Sequence, residues 1–122
     1  MLSKAEEKIM KILWKQKESY MKDIMAALPE PKPAKTTVST LLKRMTDKNM
    51  IRYETAGNVR KYIPLIAKKN YFATMLAEIK NTFFNDSSKQ FASFFTQDTD
   101  LSISELEEIS KIINEEIKKK KS

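Results

Sequence analysis

Apolar residues fall along this chain in short helical stripes, and the most informative stripe lies between Thr36 and Met50. Val38, Leu41, Leu42 and Met45 recur there at three- and four-residue spacing, which places them on one side of a helix. The opposite side carries Thr36, Thr40, Lys43 and Asp47, with Thr37 and Ser39 on its shoulders. Short hydroxyls and a cation on a free helical face reach base edges and phosphates without filling a groove with bulk. The pattern predicts a helix over about Lys35–Asn49 with one side for a core and one side suited to the major groove of DNA.

Upstream, Ser3 and Glu6 have the spacing of a capping box, and Ile9, Met10, Ile12, Leu13 and Trp14 form the apolar set of the helix it opens. Trp14 at helical spacing reads as a core anchor. After the polar break Lys15 to Glu18, Ser19 is placed to cap a second short helix that turns Ile24, Met25 and Leu28 inward. Pro29, Pro31 and Pro33 end that helix, deny the connection backbone donors and hold it extended, so the next helix starts no earlier than about Ala34.

Downstream, Met50–Thr55 and Val59–Leu65 have strand character around Gly57-Asn58, a two-residue turn with the chain's one Gly where positive φ is needed. That turn sets a register of Tyr53 opposite Tyr62, Glu54 opposite Lys61 and Thr55 opposite Arg60. Tyr53 and Tyr62 then share a face with Ile51, whereas Arg52, Glu54 and Lys61 face the other way and Arg60 sits near the tip. Three helices followed by a basic hairpin give a winged helix-turn-helix head over residues 1–66, with the hairpin as its wing.

Residues 67–122 read differently. A helix from Ala67 to about Asn85 lines up Phe72, Met75, Leu76, Ile79 and Phe83, and a second apolar cluster follows at Phe91, Phe94 and Phe95. After Gln97 to Asp100, a last helix capped by Ser102 or Ser104 carries Ile103, Leu106, Ile109, Ile113 and Ile117. This is more apolar stripe than so short a segment can bury by itself, and pairing with a second copy is the economical way to cover it. The competing expectation is that these helices fold back on their own head. The predicted fold class is mainly α with a small β-hairpin, a winged helix-turn-helix head followed by a helical dimerisation segment.

Charge sharpens the division. The net +7 resides wholly in residues 1–66, where 11 Lys and 3 Arg face 7 acids, while residues 67–122 balance 9 Lys against 9 acids. A basic head on a neutral body suits a polyanion. The 122 residues contain no His and no Cys, which removes imidazole bases, thiol nucleophiles and the usual transition-metal ligand sets. One Gly excludes Gly-rich phosphate loops, and Glu105, Glu108, Glu115 and Glu116 read as a solvated helical face, so neither an enzyme nor a cofactor is expected. No apolar run is long enough for a signal peptide or a membrane span, which leads to the expectation of a cytoplasmic protein without membrane insertion.

Three strings, AEEKIMKILWKQ, TVSTLLKRMTDKNMI and RKYIP at Arg60–Pro64, resemble segments of the penicillinase and methicillin-resistance repressors, the BlaI/MecI group, which also includes copper-responsive CopY-type members. The likeness is closest over residues 5–66. It implies a homodimeric winged-helix repressor on a palindromic operator of double-stranded DNA. Lys35, Thr36, Thr37, Ser39, Thr40, Lys43 and Arg44 then lie on or beside the major-groove helix, and Arg52, Arg60 and Lys61 on the wing. The dimerisation set is Phe72, Met75, Leu76, Ile79, Phe83, Phe91, Phe94, Phe95, Leu106, Ile109, Ile113 and Ile117.

Two departures qualify the resemblance. Copper-responsive members depend on a C-terminal cysteine cluster, which this chain lacks. In antibiotic-responsive members a membrane-bound sensor protease system leads to cleavage in the dimerisation half near an Asn-Phe bond. Phe94-Phe95 occupies that region here, preceded by Ser93 and not by Asn, so the aromatic cluster reads as dimer core ahead of a cleavage region. The rival readings are a winged-helix protein-interaction module and a small-molecule-responsive regulator with a pocket lined by Tyr71, Phe72 and Met75.

Overall fold

The computed structural model describes residues 2–122 as α1 (Lys4–Gln16), β1 (Ser19–Tyr20), α2 (Met21–Ala27), α3 (Lys35–Asp47), β2 (Ile51–Ala56), β3 (Val59–Pro64), α4 (Lys68–Phe83), α5 (Ser88–Gln97) and α6 (Ile103–Lys121). Two units result, one ending at Met75 and the other beginning at Leu76. The first is a winged helix-turn-helix: three helices and an antiparallel sheet in the order β1-β3-β2.

Each element of the head starts or stops where its residues require. Ser3 and Glu6 close the expected capping box, the Glu6 N–H donating to the Ser3 hydroxyl at 3.2 Å and the Ser3 N–H to the Glu6 carboxylate at 2.8 Å. Lys17, at φ 71°, ends α1. The helices converge on one cluster, in which Ile9, Met10 and Leu13 of α1, Ile24 of α2, and Val38, Leu42 and Met45 of α3 are fully buried. Each such side chain contributes about 1.5–3 kcal/mol by leaving water. Ile51 and Tyr62 of the hairpin seal that cluster from the sheet side.

Two expectations are corrected. Ser19 is not a helix cap: it is buried in β1, paired with Tyr62 of β3, and its hydroxyl donates to the Gln16 side chain. Tyr20 holds the cap position instead, its N–H donating to the Asp23 carboxylate at 3.0 Å. A two-residue strand has no periodicity to read, and only its pairing with β3 defines it. Trp14 is half-buried at the margin of the core, where its indole N–H donates to the Ile66 carbonyl at 2.8 Å. A buried indole needs a partner for that N–H, and the chain leaving the wing supplies it.

The hairpin register agrees with expectation in every pair named above: Tyr53↔Tyr62, Glu54↔Lys61 and Thr55↔Arg60. Gly57 takes φ +63°. The first turns of α4 belong to the head. Tyr71 is buried there, accepts from the Leu2 N–H at 3.3 Å and donates to Glu7 at 3.2 Å, while Phe72 lies 6.0 Å from Trp14 and Met75 packs on the same core. Of the residues weighed as the walls of a ligand pocket, Tyr71 and Met75 are thus engaged in core packing, while Phe72 meets Trp14 at the margin and is 40% exposed.

The second unit has a different character. Ser102, not Ser104, caps α6 through a reciprocal box with Glu105, and Ser87 caps α5. The Glu105 carboxyl is held below its usual range by the Ser102 N–H and hydroxyl. Phe84, Phe91 and Phe94 cluster at 5.5–5.6 Å between ring centres, and Phe91 stacks on Phe95 at 6.2 Å. Yet no residue from Leu76 to Ser122 is buried.

Candidate nucleic-acid interface

The apolar stripe of α3 is what presents its polar face. With Val38, Leu42 and Met45 buried, the 3.6-residue repeat turns Thr36, Thr37, Ser39, Thr40, Lys43 and Arg44 outward, while Lys35 is free as the first residue of the helix, and all seven are exposed. The side chains differ in readiness. Thr40 donates its hydroxyl to the Thr36 carbonyl at 3.1 Å, leaving its oxygen as an acceptor. Lys43 pairs with Asp47 at 3.3 Å in an open i,i+4 contact of about 0.3–0.5 kcal/mol, weak enough to be exchanged for a phosphate. No side chain caps the start of α3 at Ala34.

The head divides this face between two clefts. Lys35 and Ser39 line one of about 520 Å³ together with Tyr20 and Lys22 at the start of α2 and Asn58 and Arg60 at the wing tip. Three cations line it and no carboxylate does. Thr37 lines the other, of about 390 Å³, against Lys4 and Lys8 of α1 and the three prolines. Asn58 is the expected turn residue, but Tyr20 and Lys22 carry no signal of this role in the sequence; the pairing of β1 with β3 draws the start of α2 to the wing.

On the wing the expected cations separate into two kinds. The Arg60 guanidinium lies 4.2 Å from the centre of the Tyr53 ring, on the face shared with Tyr62. Arg52 and Lys61 occupy the other face, where Arg52 pairs with Glu54 at 2.9 Å and Lys61 with both Glu18 and Glu54 at 3.5 Å. The Lys61 ammonium is pushed up by Glu18 and then by Glu54, and the Glu54 carboxyl is pulled down by the hydrogen bond from Arg52 and by the charge of Lys61.

Of the residues expected to dimerise, Phe72 and Met75 sit in the head, as described. Leu76, Ile79, Phe83, Phe94, Phe95, Leu106, Ile113 and Ile117 are exposed apolar residues, and Phe91 and Ile109 are half-buried. Phe94 and Phe95 lie inside α5. A protease takes its substrate extended, so cleavage at that point requires the helix to open. Among the described residues no group of His, Cys, Asp or Glu is arranged to hold a metal ion, and no helix is long and apolar enough to cross a membrane.

Residues 2–115 match the family model described as penicillinase repressor. A penicillinase repressor from Bacillus licheniformis is 26% identical over 121 residues, spanning 98% of this chain and 94% of the relative. A solved structure described as the CopR repressor is 34% identical, with a TM-score of 0.47, over 54% of this chain and 97% of its own. The chain belongs to the penicillinase repressor family, a family of DNA-binding transcriptional repressors.

Proposed function

We propose that this repressor works as a homodimer on a palindromic operator, each α3 entering one major groove, with the two grooves roughly 34 Å apart. The observation that carries the reading is the exposed hydroxyl-and-cation face of α3, beside a carboxylate-free cleft lined by Lys22, Lys35 and Arg60. Thr36, Thr37, Ser39 and Thr40 supply the contacts that distinguish bases. Lys35, Lys43, Arg44, Lys22 and the wing's Arg60 hold phosphates and set register. The partner is a second copy of the chain, and the unburied stripes from Leu76 to Ile117 support it.

The deciding experiment is a footprint of the protein on its own promoter across a salt series. A protected palindrome is expected, and Lys43→Ala should weaken specific and non-specific binding alike while lowering the salt slope by about one unit. Unchanged affinity and slope would displace α3 from the groove. Absence of any salt-steep binding would favour the protein-interaction reading. Relief of repression by cutting in the α5 region is the corresponding account of induction. Adding a co-encoded sensor protease should then release the footprint with a cut between Phe91 and Asp98, and an intact chain counts against it.

A further inference from the structure

The two faces of the wing are unequal in charge, and the inequality bears on which cations meet DNA. On the outer face Arg52 and Lys61 confront Glu54 and Glu18 at 2.9–3.5 Å, so two positive charges meet two negative ones and the face is neutral. Glu54 bridges both cations, one carboxylate oxygen to each. Backbone pairing brings these groups together. β3 is the central strand, Lys61 stands opposite Glu54 on one side and Tyr20 on the other, and Glu18 lies just before β1. On the inner face Arg60 meets no carboxylate among the described residues; it rests on Tyr53 and borders the cleft that Lys22 and Lys35 also line.

We propose that Glu18 and Glu54 are restraining residues, which hold Arg52 and Lys61 out of phosphate contact and leave Arg60 as the wing's cation for DNA. A phosphate approaching Lys61 must compete with two carboxylates already within 3.5 Å, whereas one approaching Arg60 displaces only a ring face. Arg52 is offset in the same way by Glu54. The consequence is specificity. Sequence-independent affinity rises with each phosphate neutralised, so a wing with two balanced cations lowers binding to random DNA and leaves discrimination to α3. This inference rests on the DNA-binding reading above and adds which wing residues act in it.

The test uses the full chain, a random duplex and a sodium chloride series, with binding followed by fluorescence anisotropy. The Glu18→Gln/Glu54→Gln double variant frees both cations and should bind about 25- to 100-fold more tightly at 0.1 M salt, with a slope steeper by about 1.8, the value for two added phosphate contacts. In an Arg52→Gln/Lys61→Gln background the same two substitutions should lose most of that gain, because they act through those two cations. Arg60→Gln alone should reduce the slope by about 0.9, and Arg52→Gln should leave it unchanged. A double variant with unaltered slope overturns the proposal, as does a gain that survives whole without Arg52 and Lys61, which would mark a diffuse charge effect. If the unmodified protein shows no salt-dependent binding, the DNA reading falls and this inference with it.

Discussion

At Glu6 a helix cap and a tertiary ion pair meet in one carboxylate. The residue is 2% exposed; Oε1 accepts from the Ser3 N–H and lies 2.8 Å from the Lys48 ammonium, while Oε2 has no hydrogen-bond partner among the described residues. Burial alone would raise its pKa, but the bonds from Lys48 and Ser3 outweigh it and hold the carboxyl below the usual carboxylate range. A carboxyl depressed by folding contributes stability above its unfolded pKa and loses it as pH falls through the folded value. Stability should therefore fall as the pH is lowered below the usual carboxylate range, and that component should vanish in Glu6→Gln, as thermal melts across pH will show. Lys48→Met removes the cation that the buried carboxylate faces and should cost about 1–3 kcal/mol at neutral pH, more than Glu6→Gln, because it leaves a buried charge in place.

The wing is the element whose form was most fully legible in the sequence. Gly57-Asn58 dictated the turn, and alternation around it dictated the register and both faces, because a two-residue hairpin leaves no freedom in pairing. A Cβ at Gly57 would meet nothing within 4 Å, so its only constraint is the backbone at φ +63°. Gly57→Ala should then cost about 1 kcal/mol in a denaturant titration, and Gly57→Asn clearly less, since Asn accepts the left-handed region. Equal losses for both would point to contacts at the turn and away from conformation. The element that sequence did not disclose is β1. It is two residues long, and without it the start of α2 would not reach the wing or bring Tyr20 and Lys22 beside α3.

Across the whole molecule the contrast lies in burial. The head closes a core from α1 to the start of α4, whereas the residues from Leu76 onward leave Phe83 75% exposed and Phe94 48% exposed. Exposed apolar side chains of this kind are costly in water, and they are what the proposed pairing of two copies would cover. Ile113→Asp on α6 alters a side chain that is 52% exposed, so it should spare the head and convert the proposed dimer to a monomer in sedimentation. Losing the second reading head should weaken operator binding by roughly 10²–10⁴-fold and affect random DNA far less. A variant that stays dimeric with full operator affinity would move the interface elsewhere.

Periodicity and turn chemistry in the sequence determined the winged head, the two faces of α3, the wing register, the capping boxes at Ser3 and the confinement of charge to the first half. Those features are local: each follows from residues within a few positions of one another, where geometry is set by 3.6- and 2-residue repeats. What only the tertiary structure decided is which charges are engaged. Arg52, Arg60 and Lys61 look alike along the chain, yet one rests on Tyr53 and two are held by Glu18 and Glu54. Likewise Phe72 and Met75 continue the stripe of α4 but pack on the head, because Trp14 and Tyr71 reach them there. Partners brought together across strands and between helices leave no periodic trace, since the energy of a contact depends on distance in space and not on separation along the chain.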